Sequence, residues 1–130
     1  MIYYVYRYIS KRNREKGEIM KPIKTSALAE SVYYILLRLH QPAHGYALMK
    51  DISELTNNRV NLGAGTVYGA LDNLQRKKWI KPLKNETYDR KIEYVITDTG
   101  KKFFQLELDR LEELLKNAKA IKEKVYENQN

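Results

Sequence analysis

The run Gly65-Thr66-Val67-Tyr68-Gly69-Ala70-Leu71-Asp72-Asn73-Leu74-Gln75-Arg76-Lys77 gathers hydroxyls, two amides and two cations on one short segment. Val67, Leu71 and Leu74 recur at helical spacing, which leaves Thr66, Tyr68, Gly69, Asn73 and Arg76 for the opposite side. Such a face suits a DNA duplex. A small-residue opening lets the helix approach closely, and its free amides favour phosphate. Asn73 carries the paired donor and acceptor that match an adenine edge. Tyr68 suits a phosphate or sugar oxygen, with a partly buried packing role as the alternative. Arg76 and Lys77, joined by Arg90 and Lys91 further along, suit phosphates, which position a protein without reading sequence. Lys77 and its neighbour Lys78 can equally be solvated charges.

Other chemistries fare worse. The chain has no cysteine, so disulfide scaffolds, thiolate metal sites and cysteine nucleophiles are excluded. His40 and His44 stand four apart, but Pro42 between them breaks the helical geometry a metal pair needs. They read as a helix-end histidine and a turn histidine. No Gly-rich phosphate loop follows a strand, and no triad or metal cluster is present. The expectation is a protein that is not an enzyme and needs no cofactor or metal.

Those residues need elements to hold them. Leu28, Val32, Ile35, Leu36 and Leu39 mark a first helix from about Thr25, with Thr25 or Ser26 as cap, Glu30 assisting and Pro42 closing it. Gly45 leads into Tyr46, Leu48, Met49, Ile52 and Leu55, a second amphipathic helix ending at Thr56-Asn57-Asn58. Tyr46 reads mainly as a packing residue. The third helix starts at Gly65 or Thr66. Two short helices joined by a Gly-containing turn read as a helix-turn-helix. The pattern then changes period. Ile80-Lys81-Pro82-Leu83-Lys84 is an edge strand, residues 85–90 are polar turn, and residues 91–97 form a second strand. Trp79 reads as an apolar plug beneath this wing. From about Lys101 to Tyr126 a last helix, capped by Asp98 or Thr99, carries Phe104, Leu108, Leu111, Leu115, Ala118 and Val125 at four-three spacing. A stripe that long predicts a partner helix and a two-fold homodimer. The fold class expected is α+β, mainly α: a winged helix-turn-helix with a long C-terminal dimerisation helix.

Charge supports this division. The net charge is +8 over 130 residues. Residues 1–20 hold five basic and two acidic groups, residues 21–97 twelve and seven, and residues 98–130 seven of each. The excess thus avoids the last helix, as a basic DNA-reading head and a neutral dimerisation element require. Residues 21–97 form the expected winged domain and residues 98–130 the dimerisation helix and tail. Residues 1–20 are an N-terminal extension without signal-peptide character. Lys16-Gly17-Glu18 just before Met20 can be encoded as a purine run of the ribosome-recruiting kind. Translation is therefore expected to begin naturally at Met20. No apolar run approaches the ~20 residues a bilayer span needs, so a soluble, cytoplasmic protein is expected, with no membrane partner.

Three blocks now carry a resemblance. His44-Gly45-Tyr46-Ala47-Leu48, Gly65-Thr66-Val67-Tyr68-Gly69-Ala70-Leu71 and Arg90-Lys91-Ile92-Glu93-Tyr94-Val95-Ile96-Thr97-Asp98-Thr99-Gly100 resemble the PadR family of bacterial transcriptional regulators, in the family's order. The resemblance spans roughly residues 24–126 and looks like the family's shorter-tailed branch. It implies a winged-helix homodimer, usually a repressor released by a small molecule or by stress. A small apolar or aromatic effector would then sit where the first and last helices meet, lined by Tyr33, Tyr34, Phe103 and Phe104; as helical aromatics these also read simply as core. Two positions depart from the family. Thr87-Tyr88-Asp89-Arg90-Lys91 lacks the usual Gly-Arg-Pro of the wing, and Asp89 repels phosphate. Lys78 stands where the family usually ends the recognition helix with glycine, so it must turn left-handed or end the helix differently. The alternative function is a winged-helix protein-interaction module, or an antagonist of another regulator, without DNA binding of its own.

Overall fold

A computed structural model describes residues 27–83 and 91–128. Four helices and two strands follow in the order α1 (Glu30–Arg38), α2 (Gly45–Leu55), α3 (Ala64–Arg76), β1 (Ile80–Leu83), β2 (Glu93–Ile96) and α4 (Asp98–Glu127). The chain divides into two units, Leu28–Phe104 and a second whose described part is mainly residues 105–128. The proposed wing turn and the N-terminal extension, including Met20, lie outside the described residues.

In the first unit each helix turns one apolar stripe inward. Ile35, Leu36 and Leu39 come from α1 and its C-cap, Leu48 and Ile52 from α2, and Val67, Leu71 and Leu74 from α3. All eight are at most 2% exposed. Full burial of such side chains stabilises by about 2 kcal/mol each. Ile80, Ile96 and Phe104 complete this core.

The strands pair antiparallel, with Ile80 opposite Ile96 and Pro82 opposite Tyr94. On the other side of β2, Tyr94 exchanges both backbone hydrogen bonds with Ala43, at 2.9 and 3.1 Å. The linker between α1 and α2 is thereby sewn to the sheet, while β1, which carries the donor-less Pro82, stays at the edge. The result is the winged helix-turn-helix, mainly α with a small sheet.

Three boundaries differ from the sequence pattern. Helix α1 starts at Glu30, because Ala29 is extended (φ −59°, ψ 145°) and among the described residues no side chain caps it; Leu28 therefore precedes the helix, and the expected caps Thr25 and Ser26 lie outside the described residues. Helix α3 starts at Ala64, one residue before the expected opening. Helix α4 starts at Asp98, and its cap is neither Asp98 nor Thr99: the Gly100 amide donates to the Thr97 hydroxyl at 3.1 Å.

Candidate nucleic-acid interface

Helix α3 is anchored at both ends by backbone geometry. Gly63 caps its start without any side-chain bond, so the first-turn amides are not taken by a cap side chain. Its exit is a left-handed turn on Lys78 (φ 63°), with the Trp79 amide donating to Leu74 and the Lys78 amide to Gln75. Of the two outcomes open to a lysine here, the chain takes the strained one. Asn57 (φ 52°) ends α2 in the same pattern, a position asparagine tolerates better.

The face away from the core is open. Thr66, Gly69, Asn73, Arg76 and Lys77 are exposed, and Tyr68 is 47% exposed. Its charges are partly engaged within the chain. Arg76 donates to Asp72 one turn earlier at 2.5 Å, and the Lys77 ammonium sits 4.9 Å from the centre of the Trp79 ring. Lys91, just before β2, is exposed, and Arg90 lies outside the described residues. Among the described residues, a Cβ on Gly65 or Gly69 would meet nothing within 4 Å.

Helix α2 supports this face from below. The His44 ring accepts from the Ala47 amide at 3.2 Å and so caps α2 through Nδ1. His44 is thus a helix cap, more than a turn residue. His40 is the helix-end histidine, its Nδ1 donating to the Leu36 and Leu37 carbonyls at 2.9 and 3.0 Å. Tyr46, read from the sequence as a packing residue, is 65% exposed, because it sits two positions past His44 on the outer side of α2. Arg38 is tied to Asp51 at 2.7 Å, linking α1 to α2. Arg59, beyond the α2 C-cap, pairs with Glu30. The Glu30 hydrogen bond and charge hold the Arg59 guanidinium above its ordinary value, with Tyr34 adding to both effects.

A tri-helical head with an open third helix, a paired wing and a long fourth helix now stands beside one family. The profile of the transcriptional regulator PadR-like family matches residues 32–106. The chain belongs to the PadR-like family. Its fold matches a PadR family regulator from Eggerthella lenta (18% identity, 88% of each chain covered, TM-score 0.60) and one from Clostridium difficile (22% identity, 72% of this chain and 98% of that one, TM-score 0.62). It also matches PadR of Bacillus subtilis, solved in complex with operator DNA (20% identity, 62% of this chain and 46% of that one, TM-score 0.54). A 37.1 kDa protein of transposon TN4556 from Streptomyces fradiae is 33% identical over 66 residues, covering 51% of this chain; the match spans 18% of that relative's length. The family is one of transcriptional regulators.

Among the aromatic residues expected to line an effector site, the PadR-like head brings three together. Tyr33 stacks on Phe104 at 5.2 Å and meets Tyr34 edge-on at 5.3 Å. Phe104 is 4% exposed and also contacts His40 at 5.1 Å, so this side chain is core of its own unit, although the sequence stripe also placed it at the dimer interface. Phe103 goes elsewhere. One residue along a helix turns a side chain by about 100°, and Phe103 stacks on Trp79 at 4.6 Å. Trp79 is accordingly half-buried between Phe103 and Lys77.

In the second unit, Leu108 is half-buried, and Leu111, Leu115, Ala118 and Val125 are exposed along α4. Leu114, Ile121 and Tyr126, absent from the four-three stripe, are exposed as well. Among the described residues no helix is long and apolar enough to cross a membrane, and no group of three metal-ligating side chains forms.

Two contributors escaped the sequence reading. Thr97 ties the exit of α3 to the start of α4, donating to the Lys78 carbonyl at 2.6 Å. Gly100 lets the two segments touch, since a Cβ there would fall 2.2 Å from the Trp79 carbonyl oxygen. The threonine before an acidic helix start was the available signal for the first; nothing local marks the second.

Proposed function

We propose that this PadR-like chain is a cytoplasmic transcriptional repressor that binds a near-palindromic operator as a homodimer, with residues 21–97 reading DNA and residues 98–130 dimerising. One observation carries the reading. Helix α3 buries Val67, Leu71 and Leu74 completely, while its other face keeps two glycines, Gly65 and Gly69, where an added Cβ would meet nothing within 4 Å among the described residues. Each glycine within a helix costs about 1 kcal/mol relative to alanine. Internal packing gives no return for that cost, whereas a bare helix backbone suits close approach to DNA.

On this reading Thr66 and Asn73 face base edges, and Tyr68 bonds a phosphate or sugar oxygen. Arg76, Lys77, Arg90 and Lys91 meet phosphates. The operator complex of the Bacillus subtilis relative supports the same use of the fold. The exposed Leu111, Leu115, Ala118 and Val125 of α4 meet a second copy, because a row of apolar side chains on one 30-residue helix is stabilised by burial. A small apolar or aromatic effector enters at Tyr33, Tyr34 and Phe104 by parting the Tyr33–Phe104 stack, and Phe103 is left to Trp79.

The test is a gel shift with the DNA upstream of this protein's own gene against scrambled DNA of equal length, at two salt concentrations. Preferential, salt-weakened binding with a protected near-palindrome supports the repressor reading. Equal binding to both duplexes shows electrostatic attraction alone. Failure to bind either at low salt transfers the fold to the protein-interaction role.

A further inference from the structure

Gly45 opens α2 and Tyr68 belongs to α3, yet the two are in direct contact. A Cβ on Gly45 would fall 2.7 Å from Cζ, 2.8 Å from the hydroxyl oxygen and 2.9 Å from Cε1 of Tyr68. The outer edge of the ring therefore lies on the bare backbone of the first turn of α2. Gly45 is buried there, while Tyr68 keeps 47% of its surface exposed.

Backbone conformation does not call for glycine at this position, since Gly45 is an ordinary helical residue. Nor does helix formation, for which glycine is the poorest residue after proline. What the missing Cβ provides is room for one ring. The atoms that would clash are the far end of an exposed side chain, not backbone, so a methyl group here re-aims Tyr68 without dismantling the core.

We propose that Gly45 is a positioning residue for DNA binding. By lacking a Cβ it lets Tyr68 lie against the start of α2, and this holds the tyrosine hydroxyl in one direction beside the exposed face of α3. The inference rests on the DNA-binding reading above. A tyrosine held before binding loses less rotamer freedom on contact, and a re-aimed one must be reordered.

The test uses the full chain in four forms: unsubstituted, Gly45→Ala, Tyr68→Ala and the double variant. Each is titrated against a labelled duplex from upstream of its own gene. A further pair, with and without Gly45→Ala, carries 3-fluorotyrosine at position 68 for ¹⁹F NMR. Gly45→Ala is expected to weaken binding about tenfold, the scale of one hydrogen bond to a charged group. Its Tm is expected to hold or rise, because alanine is the better helix former. In the Tyr68→Ala background the same substitution is expected to change binding little, and the ¹⁹F resonance is expected to shift.

An equal loss in both backgrounds, or an unmoved ¹⁹F resonance, overturns the inference while leaving DNA binding intact. So does a Gly45→Ala chain that unfolds and is not restored by Tyr68→Ala. If the unsubstituted chain binds no duplex even at low salt, the DNA reading itself fails and takes this role with it; the ¹⁹F shift then reports packing alone.

Discussion

The Thr97 hydroxyl donates to the Lys78 carbonyl at 2.6 Å while it accepts from the Gly100 amide at 3.1 Å. One hydroxyl thus satisfies the end of α3 and the beginning of α4, which its donor and two lone pairs permit. The Thr97 amide adds a bond to the Trp79 carbonyl at 2.9 Å. Thr97→Val keeps the shape and loses both side-chain bonds. Urea unfolding should show a loss of about 1–2 kcal/mol, and Thr97→Ser should recover most of it. Equal stability of the valine and serine variants would remove the hydroxyl from the account.

Lys78 supplies a prediction of opposite sign. Its left-handed backbone (φ 63°) is strained for any residue with a Cβ. Lys78→Gly should stabilise the chain by about 1 kcal/mol in the same urea assay, with the solvated ammonium contributing nothing to offset it. A destabilised glycine variant would show that the side chain holds something the backbone geometry does not reveal.

Asp72 shares the exposed face of α3 with the groups assigned to DNA and holds Arg76 in an ion pair. Both partners are well exposed, so the pair adds little to stability. Asp72→Asn should leave the urea midpoint nearly unchanged and tighten DNA binding several-fold, because it releases Arg76 and removes a charge that phosphate repels. Weaker binding by this variant would place Asp72 itself at a base edge, accepting from cytosine.

Replacing Arg90 and Lys91 together should weaken binding to every duplex alike. The slope of log affinity against log salt should flatten by roughly two per protomer, about one for each phosphate that is no longer neutralised. An unchanged slope would mean that the wing does not touch DNA.

Glutamate at both Leu111 and Leu115 places charges where the dimer reading buries apolar surface. Light scattering should then report a monomer, with the helical content of the head retained by circular dichroism. A dimer that survives both substitutions moves the interface elsewhere.

The elements were legible because their signals are local. Val67, Leu71 and Leu74 repeat at the helical period, and the block from Lys91 to Thr97 is rich in β-branched and aromatic residues, so the helix-turn-helix and the wing strands could be placed within a few residues. Where the pattern misled, the deciding interaction was distant in sequence. Phe103 and Phe104 look equivalent in sequence, and one step along the helix sends them to different partners.

By itself, then, the sequence determined the family, the order of helices and strands, and which face of α3 stays open, since periodicity and motif spacing are written residue by residue. Only the tertiary structure decided that Lys78 turns left-handed, that Lys77 lies over Trp79, that Thr97 bridges Lys78 and Gly100, and that Gly45 carries the ring of Tyr68. These are close approaches between segments up to tens of residues apart. They follow from how the stripes pack into one core, and packing is a property of the assembled elements that no single stretch of chain encodes.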